Sequence, residues 1–281
     1  ALNAADLAIL CLPDEAARRD FPYVLTRRAG NAGAGTVLAA LDSLTAPLMP
    51  NASLGSSSWV VAGFRSDTGA PLFAFDSHDD LSLPNLFYEV HLFFDGSRQV
   101  RGWSVPGLPG VINGYNETVA WGLTNIGDTQ DLFVEEVSPE DPDAFRGPAG
   151  WYPAREQRVA LAVAGQAEPE ILTIRFSCHG PIVHDDPPLA LRWTGHDVQG
   201  LGMDAFLDLN LARDAQALEL ALDRLPLPTT NVTYADVHGV IGFRTAGLLP
   251  VRRSGRGLVP RSGADPDSGW DGYVPALAMP R

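Results

Sequence analysis

Nine residues, Leu54-Gly55-Ser56-Ser57-Ser58-Trp59-Val60-Val61-Ala62, set three serines between a glycine and an apolar run. A serine hydroxyl is a weak nucleophile at neutral pH and attacks a carbonyl only with a base beside it. Taken alone, the string reads as a polar linker entering a strand. Other residue types able to do chemistry lie downstream. His78 follows Asp76-Ser77; an imidazole can hold or move a proton, although a lone histidine also serves structure. Asn125 closes Ala120-Trp121-Gly122-Leu123-Thr124-Asn125, and Asn231 follows Pro228-Thr229-Thr230. Carboxamides and backbone N–H groups are the donors that a developing oxyanion needs, while asparagine equally suits a turn or a strand end. Asp128, Gln130 and Asp131 fall within four residues. Clustered carboxylates suit a hard cation such as calcium, and two Asp three apart also suit a solvated turn. Arg252 and Arg253 are adjacent cations near the C-terminal end, by default on the surface.

The chain must supply elements that position these groups. It has 281 residues, 45% hydrophobic and 19% charged, enough to bury one large core or two modest ones. No apolar run approaches the roughly 20 residues that span a bilayer. The formal net charge is −14, and every basic residue is Arg. Such a surface disfavours nucleic acid and anionic membranes as partners. The two cysteines, Cys11 and Cys178, have no CxxC spacing and read as free, buried thiols. The chain opens at Ala1 without a charged and apolar leader, so a processed or trimmed product is expected.

Ala4–Arg19 and Thr36–Leu48 have helical spacing, joined by the Gly/Ala-rich stretch 29–35. From Trp59 onward the pattern predicts strands: Trp59–Phe64, Leu72–Phe75, Tyr88–Phe94, Val111–Asn113, Val119–Leu123 and Leu132–Glu135. Val159–Ala164 with Ile171–Phe176 reads as a hairpin, and Val232–Tyr234 with Val240–Phe243 as another, turning at Asp236-Val237-His238-Gly239. Ala205–Leu225 reads as one long helix, and 254–281 as irregular. Strands on either side of one main helix predict a layered α+β domain.

Several stretches together resemble the penicillin amidase family of N-terminal-nucleophile (Ntn) hydrolases, which includes penicillin acylases and N-acyl-homoserine lactone acylases. They are Gly55–Ala62, Asp76-Ser77-His78, Leu83–Leu92, Pro106–Gly110, Gly114–Glu117, Ala120–Asn125 with Asp128–Leu132, His179-Gly180-Pro181, Leu191–Gly195, Asn231–Ile241 and Pro250-Val251-Arg252. The resemblance covers roughly 56–281 and implies an αββα sandwich, complete or partial in a chain of this length. It implies a precursor that cuts itself before a serine, here between Gly55 and Ser56. Residues 1–55 would then be the end of a small subunit plus spacer, and 56–281 the start of the large catalytic subunit. The new N-terminal Ser56 would be the nucleophile. A free α-amine has a pKa of roughly 7.7–8.0 and can accept the hydroxyl proton near neutral pH. One residue then supplies both nucleophile and base, but only once the preceding peptide bond is broken. Gly55 leaves that bond open to strained dihedrals and to attack.

The resemblance also implies roles for the remaining candidates. The backbone N–H of Asn125 and the side-chain amide of Asn231 would hold the oxyanion, and His78 would orient the amine or hydroxyl. Arg252, or its neighbour Arg253, would match the family arginine near the amide-binding asparagine. Asp128, Gln130 (through its carbonyl) and Asp131 match part of a calcium site found in some relatives; no other cofactor is implied. Asp236 reads as a turn former and His179-Gly180-Pro181 as a structural turn, with Trp59, Trp121 and Trp193 as core or pocket walls. The partners implied are a small N-acyl amide substrate and the remaining precursor segments, in the periplasm or outside the cell. One departure stands out: Ser57 occupies the place after the nucleophile where relatives usually carry Asn. Two function classes follow, an N-acyl amide hydrolase and a truncated, inactive domain that keeps the scaffold and binds a ligand.

Overall fold

The computed structural model describes residues 55–79, 83–94, 96, 98–126, 129–198, 202–257 and 259–281. The expected helices before residue 50, Cys11 and Asp128 lie outside the described residues. The first six strands are β1 (Gly55–Val61), β2 (Leu72–His78), β3 (Tyr88–Phe94), β4 (Arg98–Ser104), β5 (Asn113–Asn116) and β6 (Val119–Asn125). Then come β7 (Gln130–Val134), β8 (Glu136–Val137), β9 (Ala144–Gly147), β10 (Gly150–Pro153), β11 (Arg155–Leu161), β12 (Glu170–Phe176), β13 (Ile182–Asp185) and β14 (Pro188–Trp193). Two helices follow, α1 (Met203–Asn210) and α2 (Ala215–Leu222). The chain ends with β15 (Thr230–Asp236), β16 (Ile241–Ala246), β17 (Pro250–Arg252), β18 (Arg261–Ser262) and β19 (Trp270–Tyr273).

The central sheet has six antiparallel strands in the order β16-β15-β6-β5-β4-β3. Alternation gives β6 and β15 two unlike faces. Val119, Trp121 and Leu123, with Val232 and Tyr234 beside them, are buried in one cluster with Phe206, Leu209, Leu218 and Leu222 of the helices. The opposite face carries Gly122, Thr124, Asn231 and Thr233, since Gly122 pairs with Thr233 and Thr124 with Asn231. The β1–β2 hairpin stacks on this face: the Phe75 ring lies on Gly122, where a Cβ would sit 2.5 Å from it. Hairpin, central sheet and helices thus form three successive layers, β, β and α, an α+β arrangement.

Several sequence expectations shift, among them the strand expected at Val111–Asn113, which is β5 at Asn113–Asn116. The strand expected at Trp59–Phe64 begins four residues earlier, and Gly63–Arg65 form a short 3-10 turn instead. Ser56, Ser57 and Ser58 are therefore strand residues, which corrects the reading of this string as a linker. The single helix over Ala205–Leu225 is two helices. Asn210 turns its side chain away, donating to the Phe206 and Val111 carbonyls and accepting from the Val111 N–H. Asp214 then caps a new helix by accepting from the Ala217 N–H at 2.7 Å. The apolar spacing runs through the break, so periodicity alone does not reveal it. The sequence pattern does not predict β4, because its inward positions, Arg98, Val100, Gly102 and Ser104, include only one large apolar residue.

A second sheet, β13-β14-β7-β18, continues from the end of β6 and includes the tail expected to be irregular, which also contributes the β17–β19 pair. Cys178 is free but exposed rather than buried, in the turn that leads from β12 to β13. Of the three tryptophans expected as walls, Trp121 is fully buried, whereas Trp59 and Trp193 are substantially exposed.

Candidate active site

Strand register decides which candidates face one another. Ser58 pairs with Phe75 and Ser56 with Ser77. Cross-strand partners share a face, and residues two apart repeat it. Ser56 therefore lies on the hairpin face that Phe75 presses onto Gly122, and Asn231 lies on the central-sheet face that receives it. Ser56 and Asn231 are on the two facing surfaces of the stacked sheets.

The Asn231 side chain is held in one sense. Thr245, its partner across β15 and β16, donates its hydroxyl to Asn231 Oδ1 at 2.8 Å. With Oδ1 so engaged, the NH₂ end of the carboxamide is the end turned away from Thr245. The peptide unit before Asn125 is fixed as well. The Thr230 hydroxyl donates to the Thr124 carbonyl at 2.8 Å, holding that carbonyl toward β15. In a trans peptide the following N–H points the opposite way, so the Asn125 N–H is directed away from β15. Leu123 shows the same sense, since its N–H donates to Asn113 Oδ1 at 2.7 Å. The β5–β6 ladder ends at the Gly114–Trp121 pair, so the Asn125 N–H lies past it. Thr230, Thr245 and Asn113 are not singled out by sequence. Strand register brings Thr245 to Asn231, Thr230 to Asn125 and Asn113 to Leu123.

Other candidates are placed differently. His78 pairs with Gly55 on the outer face of the hairpin, where its Nε2 meets Asp76 Oδ2 at 3.0 Å in an exposed pair. Arg252 is brought to Asp131 rather than to Asn231: its Nε donates to both carboxylate oxygens, at 2.9 and 3.1 Å, in a buried ion pair. Its other nitrogens include a donor to the Gln130 carbonyl at 3.1 Å, and the Trp270 indole also donates to Asp131. Arg253 pairs with Asp271 at the surface. A calcium ion needs free carboxylate and carbonyl oxygens. Both described members of the expected set, Asp131 and the Gln130 carbonyl, already accept from a guanidinium that would repel a cation. These two described residues do not fit calcium.

Asp236 acts as a turn former, its carboxylate accepting from the N–H groups of Ala215, His238 and Val240. His179 is buried, stacked on Phe133 with centroids 4.2 Å apart, and its Nδ1 lies 2.9 Å from Glu135 Oε1. Burial opposes its charge, but hydrogen bonds to Cys178 and Glu135 outweigh that and push its pKa up to about 9. The adjoining Gly180 approaches the Leu191 carbonyl so closely that a Cβ would lie 2.0 Å from it. The turn is structural.

The sequence profile of the penicillin amidase family matches residues 4–281. This chain belongs to the penicillin amidase family. It is 31% identical over 270 residues to the acyl-homoserine lactone acylase QuiP of Pseudomonas aeruginosa, covering 90% of this chain and 31% of that protein. It is 30% identical to the penicillin acylase 2 proenzyme of Pseudomonas sp. strain SE83, covering 97% of this chain and 35% of that one. The chain thus spans about a third of the length of these relatives. The thermostable penicillin G acylase from Alcaligenes faecalis shares the fold, with a TM-score of 0.62, 24% identity, and coverage of 81% of this chain and 41% of that one. The three described layers are accordingly part of an Ntn-hydrolase αββα sandwich. Among the described residues no helix is long and apolar enough to cross a membrane.

Proposed function

We propose that this chain carries the nucleophile and the oxyanion donors of an N-acyl amide hydrolase that matures by cutting itself before Ser56. The observation that carries the reading is the placement of Ser56 and Asn231 on facing surfaces, with the Asn125 N–H on the strand beside Asn231 directed out of the ladder. In maturation the Ser56 hydroxyl attacks the Gly55 carbonyl carbon. The C–N bond breaks as the nitrogen takes up the proton that the hydroxyl loses, and water hydrolyses the resulting ester, leaving a carboxylate on Gly55 and a free α-amine on Ser56. That amine then takes the hydroxyl proton as Ser56 Oγ attacks the acyl carbon of a substrate. The oxyanion accepts from the Asn125 N–H and the Asn231 side-chain NH₂. Collapse expels the substrate amine, which leaves with the proton held by the ammonium. Water, deprotonated by the same amine, releases the acid and restores Ser56.

The substrate is the side-chain amide of a β-lactam, an acyl-homoserine lactone or another acylated amine, met in the periplasm or outside the cell; the relatives named for penicillin and acyl-homoserine lactones support this class. His78 lies on the outer hairpin face and Arg252 is engaged with Asp131, so neither takes part in these steps. The second reading, an inactive scaffold, draws on Ser57 directly after the nucleophile position. A denaturing gel with N-terminal sequencing of the full-length gene product separates them. A product beginning Ser-Ser-Ser-Trp, lost in Ser56→Ala, together with amide hydrolysis in a screen of short to long acyl groups, supports the hydrolase. A chain that persists uncut and hydrolyses no amide supports the scaffold.

A further inference from the structure

We infer that Thr245 is a positioning residue for catalysis: its hydroxyl holds the oxygen end of the Asn231 carboxamide and leaves the NH₂ end turned away from Thr245. This rests on the hydrolase reading above and adds a residue to it. A side-chain amide has two faces of opposite polarity. Only the NH₂ end can stabilise an oxyanion; the carbonyl end would repel it. The two ends are nearly the same size, so packing alone does not choose between them. Thr245 anchors the oxygen end. It is 3% exposed, lies opposite Asn231 in the β15–β16 ladder, and its Oγ1–H donates to Oδ1 at 2.8 Å. Thr245 is itself held in place, its N–H donating to the Pro280 carbonyl at 2.9 Å. Rotating the Asn231 carboxamide by half a turn would break the O–H···Oδ1 bond and put the carbonyl where the NH₂ now stands. The hydroxyl thus carries part of the preorganisation that makes an oxyanion donor effective before the reaction begins.

The test uses the full-length gene product and chromogenic acyl p-nitroanilides, with rates normalised to the amount of chain that begins at Ser56. Asn231→Ala is expected to lower kcat by about 10²–10³-fold, as loss of one oxyanion donor does. Thr245→Val keeps the shape and removes the hydroxyl. It is expected to lower kcat by roughly 10-fold, a fraction of that loss, with KM within about twofold. Thr245→Ser should restore kcat, and Thr245→Val should cost nothing further on an Asn231→Ala background. A structural role would show the same loss on both backgrounds. If Thr245→Val fails to fold, Thr245→Ala is read in its place, and a crystal structure of the folded variant should show the Asn231 carboxamide rotated. Asn231→Ala at wild-type kcat overturns the oxyanion reading and this inference with it. Loss in Asn231→Ala beside wild-type kcat in Thr245→Val, or equal loss in Thr245→Val on both backgrounds, overturns this inference alone.

Discussion

Strands β6 and β15 present two faces that share a backbone and little else. Toward α1 and α2 they offer Trp121, Leu123, Val232 and Tyr234, all buried. Toward the β1–β2 hairpin they offer Gly122, Thr124, Asn231 and Thr233. One face is large and apolar and removes area from water. The other is small and polar, so a second sheet can approach closely while hydrogen-bonding groups stay available. Alternation lets one pair of strands do both without compromise. A residue moved by one position would change from core to site. The stable face anchors the strands, and the anchored strands hold the polar groups of the other face at fixed spacing.

The largest test of this division is Trp121→Ala. Trp121 is fully buried, and its indole N–H donates to the Ile112 carbonyl at 2.8 Å. Truncation opens a cavity and strands that carbonyl, at an expected cost of about 3–5 kcal/mol, read by chemical denaturation. A much smaller loss would mean that the helix-facing side is not what anchors the strands. The next test crosses between the faces. A methyl at Gly122 meets the Phe75 ring at 2.5 Å, so Gly122→Ala must push the hairpin off the sheet. It is expected to cost about 1–3 kcal/mol by overpacking and also to depress amide hydrolysis, because Ser56 rides on the displaced hairpin. Unchanged activity beside lowered stability would show that the spacing of the two sheets does not govern the site.

The sequence revealed parts of this arrangement unevenly. The Asp236–Gly239 turn was legible because its chemistry is local: one carboxylate accepts from the N–H groups of His238 and Val240. Tyr88–Phe94 was legible because Tyr88, Val90 and Leu92 alternate with Glu89 and His91. Asn231, Asn125 and Ser56 could be singled out through family resemblance, but nothing in their own spacing placed them on facing surfaces. The tie between Thr245 and Asn231 depends on the β15–β16 register, and the tie between Arg252 and Asp131 joins residues 121 apart. Patterns of a few residues carry no information at that range. The split between α1 and α2 was hidden because Asn210 leaves the helix to serve the Val111 backbone, a partner 99 residues away.

Polarity alone does not mark a site, and the His179 cluster sharpens the contrast. His179 and Glu135 are buried and hydrogen-bonded, with Ser177 and Cys178 beside them, yet they sit on the β7 sheet rather than opposite the hairpin. Their expected contribution is to stability. The His179 pKa rises from an ordinary 6.5 to about 9 in the folded chain. The folded state therefore binds the proton more tightly than the unfolded state. The stabilisation is fully present below pH 6.5 and is lost as pH climbs through about 9. Thermal melts across that window should show a falling midpoint. His179→Gln can still donate to Glu135 but cannot carry the charge, so it should lower stability at pH 6 by about 1 kcal/mol and flatten the decline. Amide hydrolysis at pH 6, per folded and processed chain, should be unchanged. A loss of kcat there would place this cluster in the catalytic machinery and end the separation between polar residues that hold the fold and those that face the hairpin.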